Sequence, residues 1–320
     1  MKNLISLKMS VLLLFFGSIS CGMFCWGIVA THAEDSLKKK VLFIGIDGTR
    51  FDAVEKAEAP HLLGLCKNGI YSSHCLILGD RYQKNDTISG PGWSSILTGA
   101  WADKHGVQDN SFNGRNYEAY PHFFSLAKQV NPKLNTASYV TWEPIAKFIV
   151  ADADESENFE NKQHGVLDYD RYDDQATEAA ISRLESADPD VVFLYFGQVD
   201  IAGHRHGFHP SVPEYVDAIL RVDAKIEKVL AAVKQRKTYD QEDWLVIVTA
   251  DHGGKGTGHS GGHKEPEILN SFLIVSGSSA QRGEFKEQTY IVDAPVTALA
   301  HLGIAINPDW KLDGRPVGLK

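Results

Sequence analysis

The sequence is poor in cysteine, has no basic blocks and shows no internal repeat, and each absence removes a class of protein. Of its four cysteines, Cys21 and Cys25 fall in an N-terminal leader, which leaves Cys66 and Cys75. Two cysteines at that spacing exclude a cysteine-based zinc module. In an oxidising compartment they form either one disulfide or two ordinary buried thiols. No Lys/Arg run is longer than Lys38 to Lys40, and 32 basic against 41 acidic residues leave a formal charge of −9. A surface built for nucleic acid is therefore excluded. No linker divides the chain beyond the leader, so residues 34–320 are expected to be a single catalytic domain. Ser89 does not stand in a Gly-x-Ser-x-Gly elbow, which counts against a metal-free serine esterase. What remains is ordinary globular composition, 43% apolar over 320 residues, enough for one large α/β domain with a sizeable core.

Residues 1–33 read as a targeting segment: Lys2 and Lys8 form a positive start, Val11 to Ala30 is almost free of charge, and Thr31-His32-Ala33 resembles a cleavage site. Three outcomes stay open, namely a cleaved signal peptide, an uncleaved membrane anchor, and a lipoprotein at Cys21, whose preceding Ser18-Ile19-Ser20 lacks the usual leucine. All three export the rest of the chain, to the periplasm or the medium, and membrane contact is expected only through this segment.

Three short apolar runs, 41–46, 191–196 and 245–250, read as buried strands. Further strands are expected at 70–78, 136–141 and 272–275. Helices are expected at 60–68, 171–186, 212–234 and 294–302, the third carrying an apolar stripe through Val216, Ile219, Ile226, Val229 and Val233. Residues 105–121 read as loop and 150–169 as an acidic irregular connection. Alternating strands and helices predict a largely parallel sheet covered on both faces.

The three buried runs lead into Asp47, Asp200 and Asp251. In a parallel sheet all carboxyl ends face one edge, where α/β folds bind ligands. Three carboxylates in one cleft repel unless protonated or metal-bound. Asp200 and His204 stand at i, i+4, on one face if that turn is helical, and Asp251 is followed by His252 and a glycine-rich loop with His259 and His263. Pro91 and Gly99 bracket a further helix, so Ser89 lies just before an N-terminus that favours an anion. Two divalent cations would offset three carboxylates and a serine alkoxide, and such a pair suits in-line displacement at phosphorus.

These pieces resemble the alkaline phosphatase superfamily, nearest its type I phosphodiesterase/nucleotide pyrophosphatase branch. The resemblance rests on Ile46-Asp47-Gly48, Ser89-x-Pro91 with Thr98-Gly99, His105-Gly106-Val107 with Asp109-Asn110, Asp200-x-x-x-His204 and Asp251-His252-Gly253. It implies a three-layer α/β/α sandwich and two divalent metal ions, most simply Zn2+. One site would be Asp200, His204 and His259, the other Asp47, Ser89, Asp251 and His252. It also implies Ser89 as nucleophile, Asn110 as a donor to a phosphoryl oxygen, and a small nucleotide-like or diester substrate. A phosphomonoesterase or head-group transferase of the same superfamily is the alternative.

The sequence departs from the branch at Ser89-Gly90-Pro91-Gly92, where Thr-Phe-Pro-Asn is usual. Thr87 offers a competing hydroxyl and His263 an alternative to His259. Gly256 to Gly261 matches a dinucleotide fingerprint but lacks the following helix and acidic partner. His206 and His209 read as solvated loop residues, Trp93 as core or pocket wall, and Arg50 as the partner of a carboxylate. Asn85-Asp86-Thr87 fits a glycosylation sequon.

Overall fold

Val41, Phe43, Leu245, Ile247, Val191 and Phe193 pack on one side of a central sheet, and Leu42, Ile44, Val246, Val248, Val192 and Leu194 on the other. The period-two alternation of strand side chains thus builds two cores from the same runs of sequence. The computed structural model describes residues 37–161 and 168–320; the leader lies outside them. The first half forms β1 (Lys38–Ile46), α1 (Phe51–Lys56), α2 (Pro60–Asn68), β2 (Gly69–Leu76), α3 (Ser89–Thr98), α4 (Ala102–His105), α5 (Phe123–Val130), β3 (Thr136–Val140) and β4 (Glu155–Asn158). The second half forms α6 (Tyr169–Ser186), β5 (Val191–Phe196), α7 (Gln198–His206), α8 (Pro213–Lys234), β6 (Glu242–Thr249), α9 (Pro266–Leu269), β7 (Asn270–Ser276), β8 (Gly283–Glu284), β9 (Thr289–Tyr290) and α10 (Asp293–His301).

The strand order is β4-β3-β5-β1-β6-β7-β2-β8, with β9 paired to β2. From β4 to β6 every pairing is parallel; β7 runs antiparallel to both β6 and β2. Helices α3, α5 and α10 share the core on one face, and α1, α2, α6, α7 and α8 the core on the other. This is the expected α/β/α sandwich. Each fully buried aliphatic or aromatic side chain contributes roughly 1.5–3 kcal/mol. The strands are therefore anchored from both faces, and polar chemistry is left to their ends.

Some local expectations are corrected. Within 150–169 the residues Glu155 to Asn158 form the edge strand β4, paired among the described residues with β3 alone. Its sequence, Glu-Ser-Glu-Asn, has no apolar member, so no pattern announced it. Helices α1 and α5 were not expected either; six and eight residues are too few to establish a helical period. Cys66 and Cys75 are both free and buried, so of the two readings the thiols hold. Burial pushes the Cys66 thiol up to about 12, which keeps it unreactive. No helix among the described residues is long and apolar enough to cross a membrane.

Candidate metal and catalytic site

In register, β1 pairs Ile46 with Phe196 of β5 and Gly45 with Thr249 of β6. The three central strands therefore end level with one another. Asp47 follows β1 directly, Asp200 lies in the first turn of α7 after β5, and Asp251 lies just past β6. Gly48 turns the chain away from β1 at φ 61°, and a Cβ there would stand 2.6 Å from Asp200 Oδ1, so only glycine fits between two of the carboxylates.

Asp47, Asp251 and His252 offer ligand atoms within 4.8 Å of one another, and Asp200, His252 and His259 do the same. His204 joins the second group, with Nε2 3.4 Å from Asp200 Oδ2 and 3.0 Å from His259 Nε2. Two carboxylates 4–5 Å apart repel by roughly 3–4 kcal/mol at an effective dielectric near 20. Burial and the Asp47 charge accordingly push Asp200 well above the usual carboxylate range, and burial, Asp47 and Asp200 do the same to Asp251.

The imidazoles are oriented. His252 Nδ1 donates to Gly253 O (2.8 Å), His259 Nδ1 to Thr87 O (3.0 Å) and His204 Nδ1 to Thr257 O (2.9 Å). A carbonyl can only accept, so each Nδ1 carries the proton and each Nε2 presents a lone pair to the site. Burial lowers His252, and burial with the two neighbouring histidines lowers His259 to about 2, so His259 does not charge in the physiological range. Two lone pairs facing each other across 3.0 Å require something positive between them. Asp200 Oδ1 and Asp251 Oδ2 are buried with no hydrogen-bond partner among the described residues. Lone pairs without donors, on nitrogen and carboxylate oxygen, fit divalent cations, and this donor set suits zinc.

Ser89 opens α3 and is nearly buried, its Oγ 3.4 Å from both Asp47 Oδ1 and His252 Nε2. Asn110 Oδ1 accepts from Gly90 N at 2.6 Å, which turns its amide NH2 toward the open space. That space is a cavity of about 800 Å³ lined by Asp47, Ser89, Asn110, Asp200, His204 and His259, among others. Thr87 is turned away: its hydroxyl donates to His259 O at 2.5 Å and accepts from Gly262 N. His263 points elsewhere too, Nε2 on Asn85 O at 2.9 Å. Asn85 itself is buried, which closes the sequon to a glycan. Because His252 Nδ1 meets a carbonyl and not a carboxylate, Ser89, His252 and an aspartate do not make a hydrolase triad. Arg50 is bidentate to Asp52 and also reaches Phe208 O and Gly254 O, well occupied as a structural cation.

The hydrogen-bonding roles of three residues escaped sequence reading, although Trp93 is buried as expected. Trp93 and Tyr195 both bind Asp47, and Asp173 of α6 holds the start of α7. Their partners lie far off in sequence, so no local pattern marks them.

A three-layer sandwich with this cluster at the carboxyl edge of its parallel strands defines the alkaline phosphatase-like class. Residues 41–314 match the model of the type I phosphodiesterase/nucleotide pyrophosphatase family, and the chain belongs to that family. It is 27% identical over 273 residues to the human bis(5′-adenosyl)-triphosphatase, covering 77% of this chain and 53% of that protein. The chain thus spans about half the length of the curated relatives it matches. Among solved structures it is similar to murine ectonucleotide pyrophosphatase/phosphodiesterase 5 (TM-score 0.64, 15% identity, 84% of this chain and 96% of that one). That protein has also been solved as an inactive threonine-to-alanine variant in complex with AMP. A 2-O GAG sulfatase shares the fold at TM-score 0.66 and 14% identity, over 88% of this chain and 76% of its own.

Proposed function

We propose that this chain is an exported, metal-dependent hydrolase of phosphodiester or pyrophosphate bonds in small, nucleotide-like substrates. The observation that carries the reading is the gathering at one sheet edge, beside Ser89, of three imidazole Nε2 lone pairs and, among the described residues, two carboxylate oxygens without donors. Asp200, His204 and His259 would hold one ion, and Asp47, Asp251, His252 and Ser89 the other. Two bound Zn2+ ions would neutralise the carboxylates, favour the ionised serine and draw off charge developing at phosphorus.

The chain's own groups do the rest. Ser89 Oγ attacks phosphorus, the bond to the leaving alcohol or phosphate breaks, and water then cleaves the resulting seryl phosphodiester, releasing the phosphate monoester and the free serine. Asn110 donates its amide N–H to a non-bridging oxygen, held in that direction by Gly90 N. The AMP held by a protein of the same fold supports a nucleotide-like ligand, and the inactivity of its threonine-to-alanine variant supports a hydroxyl nucleophile. The leader read from residues 1–33 supports export.

The test is hydrolysis of bis-p-nitrophenyl phosphate, p-nitrophenyl phosphate and p-nitrophenyl acetate, with Zn2+ and after chelation. Diester cleavage that stops on chelation and returns with Zn2+ is the expected result. Faster monoester cleavage would overturn the substrate class and keep the site. Acetate cleavage indifferent to chelator would overturn the metal reading.

A further inference from the structure

Asp47 is held differently from the other two aspartates of the site. Its Oδ2 accepts from Trp93 Nε1 at 2.8 Å and from the Tyr195 hydroxyl at 2.6 Å. Its Oδ1 faces Ser89 Oγ at 3.4 Å and His252 Nε2 at 3.6 Å. Trp93 is fully buried and Tyr195 almost so, their rings edge-to-face at 5.1 Å. The indole lies directly across β1 at Gly45, where a Cβ would stand 2.3 Å from Trp93 Cη2. The donors thus come from α3 and β5, and their rings meet on one face of the sheet beside the strand that carries the carboxylate.

An indole N–H has no acceptor capacity and an ionised carboxylate has no donor, so the direction of these bonds is not open to choice. Two donors on one oxygen saturate it and leave the other as the single ligand atom. Among the described residues Asp200 Oδ1 and Asp251 Oδ2 have no hydrogen-bond partner, and the other oxygen of Asp251 has only the Gly48 N–H, so neither carboxylate is clamped by two side-chain donors as Asp47 is.

We propose that Trp93 and Tyr195 are positioning residues that fix Asp47 as a one-oxygen ligand, with Oδ1 aimed at the ion shared with Ser89 and His252. The inference rests on the metal reading above. It makes the pair specific to one of the two ions: loss of either donor frees Asp47 to swing or to chelate through both oxygens. The Asp47, Asp251 and His252 site then weakens, while the Asp200, His204 and His259 site does not.

The experiment is a Zn2+ titration of the full chain against a chromophoric chelator, for wild type, Tyr195→Phe and Trp93→Phe. Thermal unfolding of the metal-free proteins runs alongside. Tyr195→Phe keeps the ring and its packing, so it stands even if Trp93→Phe folds poorly. Outer-shell partners of metal ligands are typically worth ~10–100-fold in affinity. We expect wild type to bind two Zn2+, and Tyr195→Phe to bind one of them ~10–100-fold more weakly, the other unchanged, with the metal-free unfolding midpoint preserved. Two unchanged affinities in Tyr195→Phe, or an equal loss at both sites, would overturn the inference alone. A wild type that takes up no Zn2+ would overturn it together with the metal reading.

Discussion

Ser89 is the only hydroxyl among the described residues within 3.5 Å of both a site carboxylate and a site imidazole, at 3.4 Å from each. Ser89→Ala removes one oxygen from a helix start otherwise left intact. We expect turnover to fall by on the order of 10³-fold or more, with thermal stability held, checked by steady-state rates and a melting curve. Asp251→Asn is a different lesion. Asp251 Oδ1 accepts from Gly48 N while Oδ2 has no donor, so an amide keeps the turn and loses the charge. Metal content measured by atomic absorption should drop from two ions to one or none, and retention of both would sink the assignment of Asp251 as a ligand. These proposed roles rest on the direction of side chains, which at Thr87 and His263 is away from the cavity although both are chemically competent.

α7 carries Asp200 and His204, yet its N-cap, Gly197, has no side chain with which to cap it. The cap comes from another helix: Asp173 of α6 accepts from Gly197 N and Gln198 N at 3.1 Å each, and from the Thr141 hydroxyl at 2.8 Å. Asp173 is fully buried, so Asp173→Ala leaves donors without partners in a dry place. A buried unsatisfied group costs about 1–3 kcal/mol, and a destabilisation of that size should appear in the denaturant midpoint. An unchanged midpoint would show that the cap is idle. At this scale the strands were legible and the brace was not. β1, β5 and β6 announce themselves as Val/Ile/Leu/Phe runs, whereas β4 is four polar residues made a strand only by β3 beside it. An aspartate inside an amphipathic helix looks like any solvated acid until the fold buries it.

Across the whole molecule, the two edges of the parallel sheet treat charge in opposite ways. At the amino-terminal edge, Lys38, Lys40 and Arg236 meet Asp188, Asp190 and Glu242 in one paired network. Burial alone would raise Glu242, but hydrogen bonds from Arg236, Trp244 and Thr238 overcome it and hold the carboxyl at about 2, down from 4.5. A carboxyl lowered on folding stabilises above its unfolded value, and that contribution fades as pH falls from 4.5 to about 2. The stability gap between metal-free wild type and Glu242→Gln should therefore be widest near neutral pH and close across that window, read by denaturant melts at several pH values. At the carboxyl-terminal edge three carboxylates have no arginine or lysine paired with them among the described residues. Ions should take that place: with free Zn2+ at 100 times its Kd, one site adds ~2.7 kcal/mol to stability. Calorimetry with and without chelator measures that gain.

By itself, the sequence determined the layered sheet, the three carboxylates at its edge and the order of the motifs, because hydrophobic period and strand ends act over a few residues. Only the tertiary structure decided which hydroxyl and which imidazole face the cavity. Ser89 and His259 do, while Thr87 and His263 are turned into hydrogen bonds with loop carbonyls. It also decided that Trp93 and Tyr195 share one oxygen of Asp47. The direction of a side chain is set by what packs against it, and here the partners come from α3, β5 and the 252–263 loop, brought together only when the sheet closes.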